Sequence, residues 1–237
     1  MSKGTKERAA AKRIVEQQKA AERRRAVTLW TTVAVVAFLL IAGLIGWGVL
    51  AGQKNDTANA AVPPGTVDSG TAFAVGDGPV TVDVYEDFMC PICHQFEQQS
   101  GATLQQLVAA KKVTVRYHPI AILDDKSNGT RYSTRAAGAV AAAAEEGKFL
   151  QYHQVLFDNQ PAEGSNGLDS AKLIELGQTA GLGDKFAAAV NDGKYDGWAT
   201  KVTDESSKRG VVGTPTVLVN GEKLPSPTPD ALTSAVG

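Results

Sequence analysis

The sequence predicts an α/β fold, a small sheet covered by helices and carrying a helical insertion, preceded by one N-terminal transmembrane helix. Three observations predict it. A β-rich segment, an amphipathic helix and a second β-rich segment follow one another between Pro79 and Leu123. From Thr130 to about Arg209 there are only helical signals and loops, and then a hairpin signature and a short helix close the chain. Far upstream, Val27 to Leu50 forms an uncharged apolar run of 24 residues.

That run is long enough to cross a hydrocarbon core of about 30 Å at about 1.5 Å per residue. Trp30 and Trp47 sit near its ends, where amphipathic rings prefer the interface, and Arg23, Arg24 and Arg25 precede it. The formal net charge of −1 over 237 residues hides an asymmetry, because the first 25 residues hold nine Lys/Arg against three Glu. The excess of basic residues on this side predicts a cytoplasmic tail (1–25), a transmembrane helix (26–51) and an extracytoplasmic remainder. The tail reads as a solvated topology signal, and no nucleic-acid partner is expected. A secretory signal peptide has an apolar stretch of only about 7–15 residues. Ala58-Asn59-Ala60 nevertheless resembles a cleavage site, so cleavage stays open. Residues 52–71, rich in Asn, Asp, Pro, Gly and Ser, read as a linker.

A globular domain is expected over 72–237. Pro79–Tyr85 reads as a strand with Val80, Val82 and Val84 on one face. A helix follows to about Ala110, anchored by Phe96, Leu104 and Leu107, and Lys112–Leu123 reads as a second strand disturbed at Pro119. Ser133–Glu146, Phe149–Phe157, Ser170–Ala180, Asp184–Val190 and Tyr195–Lys208 read as the helices of an insertion over about 127–209. Thr216–Val219 is a third strand, Asn220-Gly221 a two-residue hairpin turn, Glu222–Leu224 the return strand and Pro229–Val236 the last helix. A strand–helix–strand start implies a parallel pair with a right-handed crossover.

The chain has two cysteines, Cys90 and Cys93, too close to staple a large loop, so the pair is either catalytic or a ligand site. A strand ends just before Glu86-Asp87-Phe88-Met89-Cys90-Pro91-Ile92-Cys93-His94 and a helix starts within it. Pro91 fits the first helical position, where its missing N–H costs nothing. Cys90 then falls at the N-cap, facing unpaired amides and the positive end of the helix dipole, which favours the thiolate. Cys93, one turn on, is the resolving thiol. The same letters spell the Cys-x-x-Cys-His signature of c-type haem attachment, with His118 or His153 left to serve as the distant axial ligand. A structural zinc site needs more ligands than two Cys and one His. No cofactor and no metal are expected. Glu86 and Asp87 are each either a proton acceptor or an ordinary solvated turn carboxylate. His94 either tunes the pair or is an ordinary first-turn residue, and His118 reads as structural. Gly213-Thr214-Pro215-Thr216 opens the third strand. Pro215 there is either a simple edge residue or a cis-proline whose loop lies against the cysteines and pairs with an extended substrate peptide.

Glu-Asp-Phe-x-Cys-Pro-Ile-Cys-His at 86–94 and Val-Gly-Thr-Pro-Thr at 212–216 resemble the DsbA-like branch of the thioredoxin superfamily. The resemblance runs from roughly Phe73 to Val236. It implies a thioredoxin-like fold with an inserted helical domain, catalytic Cys90 and resolving Cys93, and substrate binding by Thr214 and cis-Pro215. It also implies a membrane-anchored actinobacterial enzyme that forms disulfides in exported thiol proteins. Such an enzyme is re-oxidised by a quinone-linked membrane partner of the VKOR-like or DsbB-like kind. A tethered reductase or isomerase, a haem electron-transfer protein and a binding module are the alternatives. Two departures from the family pattern bear on the oxidising power: many relatives carry His where Ile92 stands, and Val84 occupies the place of the buried acid found in thioredoxins.

Overall fold

A computed structural model describes residues 60–237 of the chain. The expected tail at 1–25, the expected transmembrane helix at 26–51 and most of the expected linker lie outside the described residues. Among the described residues no helix is long and apolar enough to cross a membrane.

The sheet has six strands: β1 (Thr66–Val67), β2 (Ala72–Val75), β3 (Val80–Glu86), β4 (Val113–Pro119), β5 (Thr216–Val219) and β6 (Glu222–Lys223), in the order β1-β2-β4-β3-β5-β6. β3 and β4 are parallel and joined by helix α1 (Pro91–Ala109), while β5 runs antiparallel to β3. β3 is central, and from Val82 to Glu86 every residue is buried. Alternating Val residues predict one buried face, but helices cover both faces, so Asp83 and Tyr85 are enclosed too. Asp83 is accommodated because it accepts from Arg116 Nε at 2.6 Å and from His118 Nε2 at 2.9 Å. The buried residues of α1 (Cys93, Phe96, Glu97, Ser100, Gly101, Leu104, Leu107) follow its 3.6-residue period. Their face packs on β4 and on α7 (Pro229–Val236).

The linker expected to reach residue 71 ends earlier. Thr66–Val67 pairs with Ala72–Phe73, and the turn between them places Asp68 and Ser69 at positive φ. Two paired residues and a left-handed turn carry no hydrophobic period, so composition alone reads them as linker. The second strand also stops short of Leu123. Pro119 has no N–H for a ladder, and the next amide, Ile120, closes back on the Glu86 carbonyl at 2.8 Å.

Between β4 and β5 lies the insertion: α2 (Tyr132–Glu145), α3 (Phe149–Asp158), α4 (Ser170–Thr179), α5 (Asp184–Asn191) and α6 (Asp196–Lys208). α2 is its axis, packed by α3, α5 and α6. Its alanines let those helices approach closely, and most of its residues are buried. Trp198 on α6 is fully buried and donates from Nε1 to the Gly70 carbonyl at 2.7 Å, which ties the insertion to the N-terminal hairpin. Phe73 of β2 packs against the tilted rings of Phe149 and Trp198, with centroids at 4.8 and 5.3 Å.

The start of α2 is held by a close approach. Gly167 has φ +67°, and a Cβ there would stand 2.2 Å from the Tyr132 ring. Gly167→Ala is therefore expected to lower unfolding stability by about 2–4 kcal/mol, from the left-handed backbone and the overpacked ring. A denaturant midpoint unchanged from wild type would show that Tyr132 is not pinned there.

Candidate active site

β3 delivers the chain into a tight turn at Asp87-Phe88-Met89. The Cys90 amide donates to the Asp87 carbonyl at 3.0 Å, and the Met89 amide donates to the Asp87 carboxylate at 2.9 Å. Cys90 is the N-cap of α1, extended at φ −77° and ψ 114°, and Pro91 occupies the first helical turn. The Cys90 carbonyl accepts from the amides of Cys93 and His94 at 3.0 and 3.2 Å, so the helix begins at once.

Both cysteines are free thiols in this structure, but they differ in access: Cys90 keeps 6% of its surface and Cys93 none. The Cys90 thiol is brought down to about 6, chiefly by a hydrogen bond from the Cys93 thiol, which outweighs burial. The Thr214 side chain and the amides of Cys93 and Ile92 add to it. The Cys93 thiol is pushed well above its ordinary value by burial and by the neighbouring Cys90. The less enclosed sulfur thus has thiolate character and the fully enclosed one keeps its proton.

The Thr214–Pro215 peptide bond is cis, and the Cys90 thiol donates to the Thr214 carbonyl at 3.4 Å. Three large apolar side chains are exposed among the described residues, and two of them flank this point: Ile92 at 58% and Val212 at 89%. His94 lies toward solvent on α1, where the Gln98 amide reaches its Nε2 at 2.7 Å. Cys93 is enclosed by the core, with Cys90 beside its sulfur. His118 Nε2 is hydrogen-bonded to Asp83 and His153 Nε2 to Glu86.

The acids before the motif are not solvated turn carboxylates, because Glu86 and Asp87 are both fully buried. The helical insertion packs directly over this turn, which the local sequence does not reveal. Glu86 Oε1 accepts from His153 Nε2 of α3 at 2.6 Å. Glu97, one turn beyond Cys93, completes a buried group whose donor atoms lie within 4.8 Å of one another. Burial pushes Glu97 up to about 7, against the attraction of His153 and with the repulsion of Glu86. Burial opposes a charged His153, but the Glu86 charge and hydrogen bond outweigh it and raise its pKa. These three residues are the one grouping of metal-type donors among the described residues. Within the group His153 is hydrogen-bonded to Glu86, and Glu97 lies beside the two as a third buried titratable group. Gln160, just after α3, donates to the carbonyls of Phe88 and Cys90 at 3.2 and 3.0 Å. Gln160, Ser133 and Glu97 carry no local signal in the sequence, since each acts on a residue distant in the chain or across a helix face.

The thioredoxin family profile matches residues 69–237, which covers strands β2 to β6, the insertion and both active-site loops. The chain belongs to the thioredoxin family. Its structure is similar to that of the reduced disulfide bond oxidoreductase DsbG of Mycobacterium tuberculosis, at 38% identity and TM-score 0.63, over 70% of this chain and 86% of that one. Reduced DsbA of the same organism matches at 37% identity and TM-score 0.62, over 70% and 90% of the two chains. MdbA of Actinomyces oris, at 24% identity and TM-score 0.61 over 76% and 94%, shares the fold. Among curated proteins, the serine/threonine-protein kinase PknE of Mycobacterium tuberculosis is 33% identical over 135 residues, 54% of this chain and 24% of that protein. The Na(+)/H(+) antiporter NhaA 3 of Salinispora tropica is 32% identical over 162 residues, 68% and 23% of the two chains. This chain therefore spans about a quarter of the length of the curated relatives it matches.

Within this thioredoxin-family site the two thiols are separable by reagent and pH. Alkylation of Cys90 in the reduced chain is expected to rise through about pH 6. It should level off above about pH 7, where an ordinary thiol of pKa about 8.5 is still mostly unreactive. Cys93 should label only after denaturation. A Cys90 rate still climbing above about pH 8 would mean that the N-cap environment does not hold the thiolate.

Proposed function

We propose that this chain is a membrane-anchored thiol–disulfide oxidoreductase that forms disulfides in exported proteins. The observation that carries this reading is the asymmetry of the pair, with Cys90 at a helix N-cap as a stabilised thiolate and Cys93 buried as a thiol. The resemblance to DsbG and DsbA of Mycobacterium tuberculosis supports it.

In the oxidising direction a client thiolate attacks Cys90 Sγ of the Cys90–Cys93 disulfide. The S–S bond breaks, its electron pair leaves on Cys93, and Cys93 takes a proton. A second client thiolate attacks the client sulfur of the mixed disulfide, and Cys90 departs as a thiolate. The client loses two electrons and the pair gains them. A low-pKa thiol is the better leaving group in that second step, so the environment of Cys90 favours release of oxidised client. The cis-Pro215 loop and Thr214 offer backbone to an extended client beside Cys90. The exposed Ile92 and Val212 suit clients with apolar residues next to the reacting thiol. The uncharged run at 27–50 and the arginines before it support an extracytoplasmic catalytic domain. A membrane-bound, quinone-linked partner of the VKOR-like or DsbB-like kind then restores the disulfide.

Ile92 favours the second reading, a tethered reductase or isomerase, because no cation stands at that position to help hold the thiolate. Equilibrium of the full chain with a glutathione buffer separates the two. A potential near about −120 mV is expected for the oxidase, whereas one near about −270 mV, some 7 kcal/mol away for two electrons, makes the chain a reductase. Cys90→Ser should abolish exchange and Cys93→Ser should accumulate mixed disulfides through Cys90. In intact cells a membrane-impermeant maleimide should label reduced Cys90, and labelling only after lysis would overturn the proposed topology.

A further inference from the structure

Asp87 is a fully buried carboxylate three residues before the nucleophile, with each oxygen held. Oδ1 accepts from the Met89 amide at 2.9 Å and from Ser133 Oγ at 2.6 Å, and Oδ2 accepts from the Leu123 amide at 2.9 Å. These donors come from the active-site turn, from helix α2 of the insertion and from the segment after β4. All of them are neutral, and among the described residues no Lys or Arg hydrogen-bonds to Asp87. The titratable groups that its charge meets are Cys90 on α1 and Tyr132 on α2, the Cys93 thiol meets only its backbone, and the segment after β4 offers only backbone. We propose that Asp87 is a positioning residue for the exchange reaction: it pins the turn before Cys90 to the helical insertion and sets a negative charge against Cys90 that limits how far its thiolate is stabilised.

This inference rests on the thiol–disulfide reading above. With the disulfide closed, Asp87 has no charged sulfur beside it. When a client dithiol reduces the pair, two electrons break the S–S bond and the client releases two protons. One proton goes to Cys93. Cys90 and Asp87 compete for the other, because two adjoining anions in a dry site cost more than one. Burial already lifts the Asp87 carboxyl to about 6, beside a Cys90 thiol brought down to the same range. The pair therefore titrates as a unit, and the charge on Asp87 works against the charge on Cys90. The hydroxyl of Ser133 favours the carboxylate form, so the insertion influences how much of that charge the nucleophile meets.

The test reads the Cys90 thiolate directly, by ultraviolet absorbance of the reduced full chain against pH, in wild type, Asp87→Asn and Ser133→Ala. Asp87→Asn should lower the midpoint by about one pH unit, a tenfold more stable thiolate. Ser133→Ala should move it the same way by less, because the carboxyl then keeps its proton to higher pH. The glutathione equilibrium should follow in the oxidising direction. Loosening of the N-cap alone would raise the midpoint, so a midpoint raised or unchanged in folded variants overturns the proposal. Should Asp87→Asn fail to fold, the sign of the shift in Ser133→Ala decides alone. Because the titration needs no client, the two failures are distinguishable: a chain that is inert in exchange yet shows these shifts sinks the functional reading and, with it, the role of Asp87 in exchange, whereas an active chain without the shifts sinks only the role of Asp87.

Discussion

The fold places one sulfur, that of Cys90, at the N-cap of α1, where the amides of Cys93 and Ile92 favour its thiolate. Much of the site depends on that placement. β3 must end at Glu86 for the Asp87 turn to put Cys90 at the N-cap, and its parallel neighbour ends in register with it, at Pro119. Pro91 needs no hydrogen bond at the helix start, so the first turn closes on the Cys90 carbonyl without competition. The antiparallel pairing of β5 with β3 then carries the Thr214–Pro215 loop to the same end of the sheet. Three segments distant in sequence meet at Cys90 because the central strand fixes all three.

The helical insertion is part of this site as well as its cover. Ser133 of α2 reaches Asp87, His153 of α3 reaches Glu86, and Gln160 reaches the carbonyls of Phe88 and Cys90. Three carboxylic acids are enclosed where the insertion meets the turn and α1. Burying such groups is costly unless they are paired or neutral. Here Asp87 is held by neutral donors, Glu86 by His153, and Glu97 has no hydrogen-bond partner for its Oε1. A core built for stability alone would fill this space with apolar side chains. Acids concentrated beneath one cysteine pair are the pattern of a site whose proton and charge states matter.

The sequence was most legible where the signal is local. The Cys-Pro-Ile-Cys segment after a β-rich run gives the N-cap by spacing alone, and Asn220-Gly221 takes the positive φ pair that its letters announce. The helices of the insertion follow from their periodicity and their Gly punctuation. Legibility fails where meaning comes from a distant partner. Glu86 and Asp87 read as turn acids because nothing nearby says that α2 and α3 will close over them. Thr66–Val67 reads as linker because its strand character is supplied by β2 rather than by its own residues. His153 looks like any helical histidine until Glu86 lies 2.6 Å from it. The N-cap placement of Cys90 was therefore readable in the sequence, but the groups that set its electrostatics were not.

That division bears on the direction of electron flow, which is set by a small difference between large local effects. The helix amides and the Cys93 thiol pull Cys90 toward the thiolate, while Asp87 pushes the other way and Ile92 contributes no charge. A thiolate stabilised by tenfold against the closed disulfide raises the potential by about 30 mV, so moving one buried charge is comparable with a substantial step along the thioredoxin-family range. Each opposing group comes from a different structural layer: the amides from α1, the acid from the turn, the hydroxyl that steadies the acid from the insertion. In this chain what the inserted helices present to the turn therefore bears on the charge at Cys90, with the cysteines and the helix that carries them unchanged.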